Sequence, residues 1–326
     1  MPIHRKHRRG EAPLADARPA RTSAGTRPDA LLVGLRETDE THGVLNVAEL
    51  LARKKRINAH LIGIADQKTT LNNRRSSDRH DGSHDHDREW LRARTKRRLH
   101  QTLGRAVYWS TDGAFGTLAA VLADEVRRRR PRFILLAAGP SRTSQRRHAR
   151  AVLRATNAVD APVLVVPPHQ DVLPTRVLVA TDFSQSSKRA ALAAISLMGP
   201  RGHLTLVHVE PARKSDTRGD AARPDSREQR ISRCLRELRS EIDKEARRLS
   251  PNSRSHSIVK QTLLLRGQSD AAILDCAAER QSDLIVIGSR RLSKNGSMPR
   301  GSVAIGVLVG AGCAVLVAPP SGQTVK

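Results

Sequence analysis

Short apolar runs recur along this chain between stretches of helical period, and that alternation predicts the fold class. Ala30-Leu31-Leu32-Val33-Gly34-Leu35 reads as a buried strand, residues 44–55 as a helix, and His60-Leu61-Ile62-Gly63-Ile64-Ala65 as a second strand. A polar break over 66–87 precedes a charged helix at 89–103, a strand at Ala106-Val107-Tyr108-Trp109 and a helix at 117–129. Residues 132–137 predict a fourth strand, 147–155 a helix, and 162–166 a fifth strand closed by Pro167-Pro168.

After a linker at 169–174 the same order restarts. Strands are predicted at 176–180, 203–209, 257–265, 283–287 and 314–317, and helices at 187–197, 227–249, 269–279 and 302–309. Both series end alike, in Asp160-Ala161-Pro162-Val163-Leu164-Val165-Val166-Pro167-Pro168 and in Gly312-Cys313-Ala314-Val315-Leu316-Val317-Ala318-Pro319-Pro320. A tandem duplication explains the match. The expected architecture is α/β: two doubly wound, five-stranded parallel sheets, one over 29–168 and one over 175–320, with a basic arm at 1–28 and a tail at 321–326. The end strands 162–166 and 314–317 could pair within one chain, covering two sheet edges.

Composition changes this picture little. The length of 326 residues suits two cores, and the 38% apolar content is concentrated in the segments between charged stretches. A net charge of +26 attracts polyanions, but 2% aromatic residues leave almost no stacking platform for bases. The arm lacks the apolar centre of a secretory signal, and no apolar run reaches the ~18 residues of a membrane span, so a cytoplasmic protein is expected. Cys234, Cys276 and Cys313 are too dispersed for a disulfide framework or thiolate metal site and read as reduced core residues.

Candidate chemistry gathers in the second series. The strand at 283–287 ends in Gly288-Ser289-Arg290-Arg291, and Gly301-Ser302-Val303 opens the last helix. Glycine permits close backbone approach, and a helix start supplies bare N–H groups, a hydroxyl and a positive dipole end, an arrangement suited to phosphate. The first strand of the series ends in Ala180-Thr181-Asp182-Phe183-Ser184. First and fourth strands of such a unit are neighbours, so Asp182 is expected across the crevice from Gly288, either accepting a ribose or adenine hydrogen bond or capping the following helix.

These segments, with Leu206-Val207-His208-Val209, resemble the universal stress protein family over about 176–320. The family's phosphate motif is Gly, two residues, Gly, nine residues, then Gly and Ser or Thr; here Arg291 stands at the second glycine, where a side chain either blocks backbone approach or supplies a guanidinium. The resemblance implies an adenine nucleotide alpha hydrolase-like, Rossmann-like fold, with Ala180, Thr181, Asp182 and Val209 flanking adenosine and Gly288, Ser289, Gly301, Ser302 and Val303 holding phosphates. It further implies ATP, with Mg2+, as ligand, unknown protein partners, and dimerisation through the last strand, here within the chain or between two copies. In the first series only Gly139 survives, in Ala138-Gly139-Pro140-Ser141-Arg142, while Val152 occupies the place of the later motif glycine and Arg150-Ala151 offer no Gly-Ser pair nearby; this copy is expected to be degenerate.

Other chemistry finds little support. His80, His84 and His86 alternate with Asp81, Asp85 and Asp87 in a segment read as a hydrophilic loop, so no metal site is assigned. No Ser, His and acid set and no Gly-x-x-x-x-Gly-Lys-Ser/Thr loop is evident, and no base stands ready to activate water. The resemblance therefore implies a stress-response binding or signalling module rather than an enzyme. The alternative is a nucleic-acid binder acting through its basic arm and the Arg-rich helices around 92–98 and 227–239.

Overall fold

A computed structural model of the chain describes residues 31–66, 83–104, 109–139, 142–199, 201–211, 226–249, 257–289 and 303–320. In the first copy β1 (Leu31–Arg36), α1 (His42–Lys55), β2 (Ala59–Ala65), α2 (Ser83–Leu103), β3 (Ser110–Phe115), α3 (Leu118–Arg129), β4 (Phe133–Ala137), α4 (Arg142–Ala158) and β5 (Val163–Val166) follow in order. The second copy repeats the series as β6 (Arg176–Ala180), α5 (Gln185–Leu197), β7 (His203–Glu210), α6 (Ser226–Leu249), β8 (Val259–Arg266), α7 (Ser269–Glu279), β9 (Leu284–Gly288), α8 (Val303–Gly310) and β10 (Ala314–Ala318).

Side-chain alternation decides the layers. In β1, Leu31, Val33 and Leu35 turn to one face and Leu32 to the other; in β10, Ala314, Leu316 and Ala318 oppose Val315 and Val317. The first set joins a core that runs across both copies beneath α1, α5 and α6. The second set divides into a cluster under α3 and α4 and another under α7 and α8. Both faces of every internal strand are thus covered, as a doubly wound sheet requires.

The two five-stranded sets do not form separate sheets. They join in one ten-stranded sheet of order β3-β2-β1-β4-β5-β10-β9-β6-β7-β8, parallel throughout except at β5–β10. There Val163, Leu164 and Val165 lie opposite Val317, Leu316 and Val315, so the end strands do pair within the chain. Leu153 of α4 reaches the core of the second copy, and Leu308 of α8 packs against that of the first. An Arg189–Asp160 ion pair at 3.0 Å and a hydrogen bond from Ala314 N to Gln170 Oε1 at 3.2 Å cross the same junction.

Most expected elements stand within a few residues of their predicted bounds, and three differ more. Of the expected strand at 106–109, residues 106–108 lie outside the described part; Trp109 just precedes β3, which is Ser110–Phe115. As an edge strand β3 needs no apolar run, and its one buried residue, Gly113, lies where a Cβ would come 2.9 Å from the Arg88 carbonyl of α2. Helix α2 begins at Ser83 instead of 89, and α4 begins at Arg142 instead of 147. In both, polar residues extend a helix beyond its apolar stripe, where periodicity gives no signal. The arm at 1–28 and the tail at 321–326 lie outside the described residues.

Candidate functional site

The crevice of the second copy opens at the carboxyl ends of β6 and β9, which lie side by side with Val179 opposite Val286. Beyond β6 the chain turns sharply at Phe183, whose φ of 61° is left-handed. That turn is built by side chains: Thr181 Oγ1 accepts from Phe183 N at 3.0 Å, and Asp182 Oδ1 accepts from Ser184 N at 3.1 Å and Ser184 Oγ at 2.5 Å. Ser184 caps α5, its hydroxyl accepting from Ser187 N at 3.3 Å. Asp182 therefore shapes the turn while its side chain stays exposed, and the cap itself is Ser184.

Gly288 explains itself by contact. A Cβ there would lie 2.6 Å from Ser187 N and 2.8 Å from Ser186 Oγ, so the missing side chain lets the first turn of α5 rest on the end of β9. The next residue, Ser289, is buried; its N–H donates to Ala318 O at 2.8 Å and its hydroxyl to Asn157 Oδ1 of the first copy at 3.1 Å. Ala180, Val209 and Val303 are half-buried against the α7/α8 core cluster, giving the opposite face an apolar lining. The structure thus gathers Ala180, Thr181, Asp182, Val209, Gly288, Ser289 and Val303 at one end of the sheet. Arg291, Gly301 and Ser302 lie outside the described residues.

Two features of this crevice had no signal in the sequence. His208 stacks on Phe183 with ring centroids 4.7 Å apart and holds Thr181 O at 2.8 Å from its Nδ1. Asn157 enters from the other copy, a contact that only the β5–β10 pairing brings about.

The corresponding end of the first copy is filled. Arg36 Nη2 donates to Asp39 Oδ1 at 2.7 Å and to His148 Nδ1 at 2.5 Å, while Arg98 Nη1 donates to the Arg36 carbonyl at 2.9 Å. Burial, then the Arg36 charge, push the His148 pKa down to about 4, which keeps its ring a neutral acceptor. Helix α4, beginning at Arg142, occupies the chain that in the second copy separates Ser289 from α8.

Residues 174–319 match the universal stress protein family. A universal stress protein of Thermus aquaticus is 33% identical over 143 residues, which cover 43% of this chain and 96% of the relative. The chain belongs to the universal stress protein family. Among solved structures, a universal stress protein of Archaeoglobus fulgidus DSM 4304 covers 90% of this chain and 97% of its own, with a TM-score of 0.58 and 17% identity. A protein of Pseudomonas aeruginosa UCBPP-PA14, provisionally placed in the same family, covers 89% of this chain and 93% of its own, with a TM-score of 0.57 and 19% identity. These two show the fold of nearly the whole universal stress protein chain, both copies included.

No Ser, His and acid set is evident in the sequence, yet the structure aligns one in the first copy. His60 Nδ1 lies 2.7 Å from Ser110 Oγ, and its Nε2 lies 3.7 Å from Glu125 Oε2. Burial first, then the charges of Arg129 and Arg128, hold the His60 pKa near 4, and both arginines are paired to the buried Glu125. A ring so reluctant to take a proton is a poor base at neutral pH, and these groups tie β2, β3 and α3 together. Of the histidine-rich segment, residues 67–82 lie outside the described part and 83–87 open α2; among the described residues no cluster of His, Cys, Asp and Glu could hold a metal ion. Among them, too, no helix is long and apolar enough to cross a membrane.

Proposed function

We propose that the second copy binds an adenine nucleotide, ATP with Mg2+, and that the chain is a cytoplasmic stress-response module which senses that nucleotide without efficient turnover. The observation that carries this reading is the approach of α5 to β9 at Gly288, where a Cβ would sit 2.6 Å from Ser187 N. That approach sets a capped helix start, with its positive dipole end and serine hydroxyls, beside the end of β6 and the exposed Asp182. When bound, Mg2+ would offset phosphate charge. Asp182 would accept from the ribose or adenine, and Ala180, Val209 and Val303 would meet the apolar base. In the first copy the Arg36–Asp39–His148 cluster fills the same end, so one nucleotide is expected per chain.

Calorimetry of the full chain with MgATP tests this. One site is expected in the wild type, with at least a tenfold loss of affinity in Asp182→Ala and in Gly301→Arg. Absence of wild-type binding ends the proposal. Binding that instead tracks an oligonucleotide and collapses with added salt at physiological ionic strength favours the nucleic-acid alternative.

A further inference from the structure

At the opposite, amino-terminal edge of the same sheet, β6, β7 and β8 and the end of α7 enclose a cleft of about 330 Å³. Four groups on it carry or can carry positive charge: Arg176 and His203, opposite each other in the β6–β7 register, Lys260 of β8, and Arg280 just past α7. Glu279 is its one acidic residue. Asp283, next to the lining residue Ser282, is engaged elsewhere: its carboxylate accepts from Thr175 N, Thr175 Oγ1 and Arg176 N at 2.9–3.0 Å. The cleft therefore keeps a surplus of positive charge.

Its shape depends on an irregularity in β8. Leu204 pairs with Val259, but the next residue, Thr205, pairs with Gln261, leaving Lys260 as an extra residue in the edge strand. Successive residues of a regular strand face opposite ways, whereas a bulge turns both toward one side, and here Lys260 and Gln261 both line the cleft. Gln261 Oε1 in turn accepts from Arg280 Nη1, aiming the guanidinium.

The first copy shows what the same place looks like without the bulge. There β2 and β3 pair in unbroken register, His60 opposite Ser110, and the buried His60–Glu125 contact fills the position. The lining of this cleft comes from the second copy alone, and it lies at the other end of the strands from the candidate nucleotide crevice. Two guanidinium groups and an ammonium around a polar cavity match the oxygens of a phosphate group. The volume lies at the small end of the ~300–1,000 Å³ typical of small-molecule sites.

We infer that this cleft is a second ligand site, taking a small phosphorylated molecule whose phosphate is held by Arg280, Lys260 and Arg176. Titration of the full chain with pyrophosphate in 0.15 M salt tests it. One equivalent is expected whose affinity falls at least tenfold in Arg280→Gln and in Lys260→Gln and is unchanged in the exposed first-copy control Arg147→Gln. Because a variant can lose binding by losing structure, a second measurement uses the wild type alone: pyrophosphate should protect Lys260 from an amine-reactive ester, read by mass spectrometry. Affinity indifferent to both cleft variants, or Lys260 labelled equally with and without pyrophosphate, overturns the inference. Stoichiometric displacement of pyrophosphate by a single-stranded oligonucleotide that binds more tightly also overturns it, by making the cleft part of a surface for polymeric anions.

Discussion

Replacing Gly288 by alanine adds one methyl group at the point where the fold and the candidate nucleotide site share an atom-to-atom contact. The added Cβ would lie 2.6 Å from Ser187 N, 2.8 Å from Ser186 Oγ and 2.9 Å from Ser186 C, against an ordinary contact of 3.4 Å or more. Two of these neighbours are backbone atoms, so no rotamer change relieves them and the start of α5 must move away from β9. Overpacking of this kind costs about 1–3 kcal/mol, of which ~0.4–1 kcal/mol is recovered because alanine restricts the unfolded chain. A net loss of about 0.5–2 kcal/mol remains. At roughly 2–4 °C per kcal/mol for a unit of 150–250 residues, Tm should fall by a few degrees. The control is Gly312→Ala, exposed, without a left-handed φ and with nothing within 4 Å of its added Cβ, which should melt with or slightly above wild type. Differential scanning calorimetry of the three proteins decides the matter: Gly288→Ala melting at or above Gly312→Ala refutes the claim that this glycine is required by the approach of α5.

Acid should weaken the first copy. His60 and His148 have folded pKa values near 4 against an ordinary 6.5, so the unfolded chain takes up protons that the folded chain refuses. The associated stability is complete above pH 6.5 and declines toward pH 4, each group withdrawing on the order of 2–3 kcal/mol; urea melts across that range should flatten in His148→Gln. At the seam between copies, Leu316→Ala should cost about 2–5 kcal/mol, since Leu316 is fully buried opposite Leu164, and chemical denaturation would read it. Burial raises the Cys313 thiol pKa to about 11, so iodoacetamide at pH 8 should leave Cys313 unmodified in the native protein and alkylate it in urea, as peptide mapping would show.

The sequence revealed some levels of this structure and concealed others for physical reasons. Buried strands such as 176–180 and 314–318 were legible because both faces are covered, which makes the run continuously apolar. β3 was not: an edge strand of Ser, Thr, Asp and Gly carries no such run, and the apolar residues up to Trp109, which donates to Glu49 at 3.1 Å, drew the reading a few residues upstream of it. At the site, Asp182 and Gly288 stood out by residue type and spacing. His208 did not, because its part depends on stacking with Phe183 across two strands, and Asn157 did not, because no local pattern announces a contact 132 residues away. The bulge at Lys260 was equally silent, since an extra residue in an exposed strand leaves the hydrophobic pattern undisturbed.

The antiparallel meeting of β5 and β10 has a consequence for symmetry. Two identical chains joined edge to edge would carry equivalent sites and could respond to ligand in graded or cooperative steps. Here the halves are welded into one polypeptide and have diverged: one end is sealed by Arg36 and His148, while the other carries the exposed Asp182. On the proposed reading, such a molecule would report with a single, non-cooperative saturation curve, and its sealed half would become a fixed scaffold whose outer surface is free to change without disturbing the other.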